Sequence, residues 1–130
     1  MFRLQPGHSV IITNAAGEYL MQFRDGAAGI HDPLTWDFFG GAEEEGESHI
    51  EAAVRELQEE LGIEIQPAEL TVVTEQAFAD RDDTLIRCSR PLEWGQFTVL
   101  EGAGCAFLSR EELLRLQLSQ RVRFIAEKYL

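Results

Sequence analysis

Between Ser48 and Gly62 the chain carries a complete set of helix punctuation. Ser48 is a good N-cap, Glu51 stands three residues on at the capping-box spacing, and Gly62 suits the left-handed position that ends a helix. At about 100° per residue, Ile50, Ala53, Val54, Leu57 and Leu61 share one arc that must face a core. Glu56, Glu59 and Glu60 share the adjacent arc, and Glu51, Arg55 and Gln58 take the outer side. Any fold for this chain must therefore bury one face of an acidic helix while three carboxylates border that face.

The flanking sequence reads mainly as strands. Residues 8–14 and 18–24 are short β-like runs separated by Ala15-Ala16-Gly17, the pattern of a hairpin. A Gly/Pro-containing loop covers residues 25–33, and residues 35–39 predict a third strand ending at Gly40-Gly41. Beyond the helix, residues 69–78 and 84–90 predict strands around the polar turn 80–83, and residues 104–108 another. Ser109 with Glu112 forms a second capping box, opening a helical region that runs to about Tyr129. With no repeat, linker or low-complexity tract, residues 1–130 are expected to form one domain, an α/β fold of layered type with a mixed sheet.

Charge narrows the function. The chain holds 23 Asp and Glu against 11 Lys and Arg, a formal net charge of −12, with Lys128 its one lysine. Binding to a nucleic-acid duplex requires clustered cationic side chains, so none is expected. The apolar runs at 10–12 and 103–108 are far short of the roughly 20 residues of a membrane span, and the N-terminal run is too short for a signal peptide. Cys88 and Cys105 lack metal-ligand or redox spacing and read as reduced thiols, so a cytoplasmic protein without membrane contact is expected.

The acid is concentrated. Residues 41–63 contain eight glutamates and one arginine, seven of the twelve net negative charges. Carboxylates spaced i, i+3, i+4 repel one another and raise one another's pKa unless a positive group sits among them. Arg55 can neutralise one of the three. Hard oxygen donors otherwise suit Mg²⁺ or Mn²⁺ rather than zinc. A solvated acidic face, or one that docks a partner, is the competing account of the same residues.

Gly41, Glu47, Arg55-Glu56-Leu57, Glu59-Glu60 and Gly62-Ile63, at their spacing, resemble the complete signature box of the Nudix hydrolase family. The resemblance implies a Nudix-type α/β/α sandwich with a central mixed β-sheet. It implies an enzyme that hydrolyses a pyrophosphate bond in a nucleoside diphosphate derivative by attack of water on phosphorus, with Mg²⁺ or Mn²⁺ as cofactor. By that resemblance Glu56, Glu59 and Glu60 are the metal ligands, joined by the backbone carbonyl of Gly40. Arg55 orients the glutamates, Glu56 takes part in catalysis, and Glu47 and Gly41 support the site. The partner is then a small nucleotide-type substrate, and members of the family are frequently homodimers. A catalytically silent nucleotide-binding or sensor module on the same fold is the alternative. The family often has Pro-Gly-Gly where this chain has Phe39-Gly40-Gly41, which leaves the subfamily open.

Outside the box, a further carboxylate often serves as general base in this family, and Glu101 occupies the best-placed position for it, ahead of Glu93. Arg24 ends the second strand facing the segment that leads to the box, where it can touch a substrate phosphate or base. Arg81, Arg87 and Arg90 can screen a polyphosphate. Trp36, Phe38 and Phe39 read as packing residues, and His8, His31 and His49 as incidental polar residues.

Overall fold

The computed structural model describes residues 5–24, 35–79, 81–100 and 104–130. The element order is β1 (Gly7–Ile11), β2 (Tyr19–Phe23), β3 (Trp36–Asp37), β4 (Phe39–Ala42), α1 (His49–Leu61), β5 (Leu70–Ala77), β6 (Asp82–Cys88), β7 (Gly104–Leu108), α2 (Arg110–Leu114) and α3 (Gln120–Tyr129). The strands form two sheets. One is mixed, in the order β4-β1-β6-β5, with β1 parallel to β6 and the other neighbours antiparallel. The second is antiparallel, in the order β3-β2-β7. The result is the expected α/β architecture with a central mixed sheet.

The unbroken apolar run Val10-Ile11-Ile12 explains the layering, because successive residues of a strand point to opposite faces and all three are buried. Val10 and Ile12 join the core beneath α1 with Leu57, Leu61, Phe39 and Ile86. Ile11 points the other way, into a core with Leu85, Met21, Leu113, Val122 and Ile125 that carries α2 and α3. Helices thus cover both faces, which is why the β1 run does not alternate with polar residues.

Two strand expectations change. The run before Ala15-Ala16-Gly17 does not continue as a hairpin with β2. It makes one bridge there, Thr13 to Tyr19, and then the strands separate, because both edges of β1 are occupied by β4 and β6. Residues 35–39 are not one strand either. Phe38 divides them between the two sheets, and pairing in β4 runs on through Gly40 and Gly41 opposite Ser9 and His8.

Candidate active site

The helix caps are as the spacing predicts. The Ser48 hydroxyl accepts the Glu51 N–H at 3.1 Å, the Glu51 carboxylate accepts the Ser48 N–H at 2.9 Å, and Gly62 closes the helix with φ 64°. With its ends set, α1 buries Ala53, Leu57 and Leu61 as expected and Ala52 in addition. The three bordering carboxylates then differ in exposure. Glu60 is buried, the Glu56 side chain is mostly covered, and that of Glu59 is half exposed.

Arg55 leaves the outer side and folds toward the β4–α1 loop. Its guanidinium donates to both Glu47 oxygens, at 2.7 and 2.9 Å, to Glu56 Oε1 at 3.0 Å, to Glu59 at 3.4 Å and to the Ala42 carbonyl at 3.3 Å. The fork geometry of arginine permits this many directed bonds, which an ammonium would not reproduce. The side-chain hydrogen bond from Arg55 pulls the Glu47 carboxyl down to about 2. Glu47 is therefore a fixed anion that holds the guanidinium in place.

One turn on from Glu56, Glu60 accepts the Gly40 N–H at 3.1 Å. Gly41 lies flat against Glu56, since a Cβ there would come within 3.0 Å of the Glu56 carboxylate carbon. Gly40 has φ 145°, and a Cβ there would stand 2.2 Å from the His8 carbonyl oxygen. These glycines bring a strand backbone against a row of carboxylates where any side chain would intervene. Glu47, Arg55, Glu56, Glu59, Glu60, Gly40 and Gly41 are accordingly one cluster in space.

One guanidinium faces the carboxylates of Glu44, Glu47, Glu56 and Glu59, with Glu60 nearby on the backbone of Gly40. This excess of hard anionic oxygen fits a divalent cation and no soft ion. Among the described residues, no three ligating side chains already converge at metal-binding spacing. Glu56 and Glu59 are directed to Arg55 and Glu60 to Gly40, so the three could converge on a cation only by turning.

The other expected site residues that the structure describes fall elsewhere. Glu101 lies outside the described residues; Leu100, before it, donates its N–H to the Glu60 carbonyl at 2.8 Å. Glu93 accepts the Ala15 N–H at 2.8 Å, which ties a turn. Arg90 is engaged bidentately by Glu69 at 2.7 and 2.8 Å. Trp36 packs against Phe23. Arg24 stands 3.6 Å from Asp37 and so joins a buried polar chain on the α3 side of the sheets. In that chain Arg121 donates to Asp37 at 2.9 Å and to Ser9 at 3.0 Å, Ser9 donates to Asp83 at 2.9 Å, and Arg81 donates to Asp83 at 2.6 Å. Polar residues at inward positions of β1, β3 and β6 are the signal that marks this chain. His49 also proves to be engaged, between Glu43 and Glu75.

A family model described as the NUDIX domain matches residues 3–123. No curated protein matches the chain. Among solved structures, it is similar to MutT of Aliivibrio salmonicida and Vibrio cholerae, with 24% identity over 97% of this chain and 95% of that one, at TM-score 0.77. It is also similar to the E. coli dihydroneopterin triphosphate pyrophosphohydrolase, with 22% identity over 99% and 97% at TM-score 0.73. The E. coli ORF135 protein is 28% identical over 98% and 89%, at TM-score 0.70. Among the described residues, no helix is long and apolar enough to cross a membrane.

Proposed function

The chain belongs to the Nudix hydrolase family, and on that premise we propose that it is a cytoplasmic enzyme, one domain over residues 1–130, that hydrolyses nucleoside diphosphate derivatives with Mg²⁺ or Mn²⁺. Hydrolysis of a pyrophosphate bond is the reaction of the family. The narrower reading rests on one observation: Arg55 gathers Glu47, Glu56 and Glu59 beside the Gly40-Gly41 backbone that Glu60 grips.

In this reading Glu56, Glu59, Glu60 and the Gly40 carbonyl hold the cation, which supplies Lewis-acid stabilisation of phosphate charge and a more acidic water. The residues of the chain do the remaining work. Glu47 fixes Arg55, and Arg55 orients Glu56 and Glu59. Buried Glu60 grips a strand backbone that has no side chain to exclude a phosphate. Glu56 takes part in catalysis as one of the cation's ligands, and Glu101 is assigned to take the proton of the attacking water. A dihydroneopterin triphosphate pyrophosphohydrolase among the similar folds agrees with a substrate of triphosphate type.

The test is turnover of a panel of oxidised nucleoside triphosphates, sugar nucleotides, dinucleoside polyphosphates and capped RNA ends, with product identification, in saturating Mg²⁺. Glu56→Gln and Glu60→Gln, shown to be folded, are each expected to lose on the order of 10²-fold or more in kcat. Unchanged turnover in both would refute the ligand assignment. Tight nucleotide binding without product over hours in Mn²⁺ would instead identify a silent binding module.

A further inference from the structure

His49 occupies none of the fixed positions of the box, yet its ring lies between two carboxylates. Nδ1 is 2.5 Å from Glu43 Oε2 and Nε2 is 2.7 Å from Glu75 Oε1. A neutral imidazole has one N–H, and an ionised carboxylate only accepts. The neutral ring can therefore satisfy one of these partners and must turn a lone pair toward the other. Only the imidazolium donates to both.

The two partners make the contact consequential. Glu43 and His49 bracket the loop that presents Glu47, and Glu75 belongs to β5. Within the loop the Glu44 N–H donates to Glu47 Oε1 at 2.9 Å, and the Glu47 N–H donates to the Glu44 carbonyl at 3.1 Å. Glu47 in turn takes Nε and Nη2 of Arg55. We propose that His49 is a positioning residue: its imidazolium ties the two ends of the 43–48 loop to each other and to β5, and through Glu47 holds Arg55 in register with Glu56 and Glu59. The consequence for turnover rests on the reading of Arg55 given above, whereas the clasp itself does not.

The surroundings favour the charged ring. The loop contributes Glu43, and β5 contributes Glu75. From β6 come the Thr84 hydroxyl, 3.4 Å from Nδ1, and Asp82 and Asp83, which line the same cavity of about 410 Å³. Asp83 is occupied by Arg81 and Ser9. From β1, the nearby His8 is neutral and adds little repulsion. The N-terminal end of α1, where His49 is the first residue, opposes a cation. Two carboxylates in direct contact outweigh it: the hydrogen bond to Glu43 above all, then Glu75, raises the His49 pKa above its usual 6.5. A base whose folded pKa is raised contributes its full restraint below pH 6.5 and loses it as pH rises through the folded value. The loop is thus fastened at pH 6.5 and slackens as pH rises through the folded pKa of His49.

The test uses the full chain, with NMR titration of the histidine rings and amide-exchange protection factors for Glu44 and Glu47 from pH 6 to 9. In the unmodified protein His49 is expected to titrate above 6.5, and protection at both amides to fall about tenfold through that transition, the loss of one charge-assisted bond. In Glu75→Gln the His49 pKa should move down. In His49→Gln protection should be low and independent of pH. Titration of His49 at or below 6.5, protection in the unmodified protein that does not change with pH, or an unchanged pH dependence in His49→Gln would each overturn the proposal. The ring titration and the Glu75→Gln comparison decide the matter even if His49→Gln does not fold. None of these readouts uses turnover, so their failure is distinct from failure of the hydrolase reading.

Discussion

Gly40 and Gly41 are adjacent and chemically identical, yet they serve different purposes. At Gly40 the obstacle to a side chain is backbone, the His8 carbonyl oxygen, and φ of 145° is a conformation that L-residues rarely adopt. Gly40→Ala is expected to lower stability by about 3 kcal/mol or more, as measured by urea unfolding. At Gly41 the obstacle is the Glu56 carboxylate, the end of a side chain that can swing. Gly41→Ala should unfold near the parent's midpoint but lose hydrolytic activity, because Glu56 is displaced. Loss of stability in both, with activity retained in Gly41→Ala, would contradict this division. His8 offers a second contrast. Its ring is buried, neither nitrogen has a partner among the described residues, and burial pushes its pKa down to about 4. Because the unfolded chain binds that proton near 6.5, stability should fall as pH drops from 6.5 to 4, by up to about 3 kcal/mol. His8→Leu should flatten that stretch of the urea stability profile against pH, a sign opposite to that of His49.

Among the elements, α1 is defined most locally. Its capping box, apolar arc and left-handed Gly62 are interactions within a few residues, so Ser48, Glu51 and Gly62 were readable without tertiary information. Ser48→Ala is expected to cost about 1 kcal/mol in thermal or urea unfolding, with the fold retained. The strands obey a different logic. An isolated run such as 8–14 states that it is extended but not which neighbour it will take. The turn at Ala15-Ala16-Gly17 favoured β2, whereas the parallel partner β6, far along the chain, took that edge of β1 instead. Residues 35–39 were divided for the same reason, since Phe38 must supply the α3-side core while Phe39 fills the core under α1.

Across the molecule, Arg121 joins layers that no local pattern connects. It reaches from α3 to Ser9 of one sheet and Asp37 of the other, partners 112 and 84 residues away. Arg121→Ala should cost about 3–5 kcal/mol in chemical denaturation, because it leaves Asp37 buried without this counter-charge. A loss below about 1 kcal/mol would mean that the chain of polar contacts is dispensable. The net charge of −12 has an uneven meaning at this level. Seven of the twelve net negative charges lie in residues 41–63, where Glu44, Glu47, Glu56 and Glu59 face Arg55, and the remaining five are spread and suit solubility. The spacing of glutamates along one helix, the caps that orient that helix and the excess of acid beside it follow from near neighbours, and near neighbours are written directly in the chain. Which strand lies beside β1, which backbone closes on Glu56 and Glu60, and whether His49 meets Glu75 or Arg121 meets Asp37 depend on segments that approach only after the sheets have formed. Those contacts carry no local signature, because burial against distant chain, rather than the preference of the residues themselves, selects them.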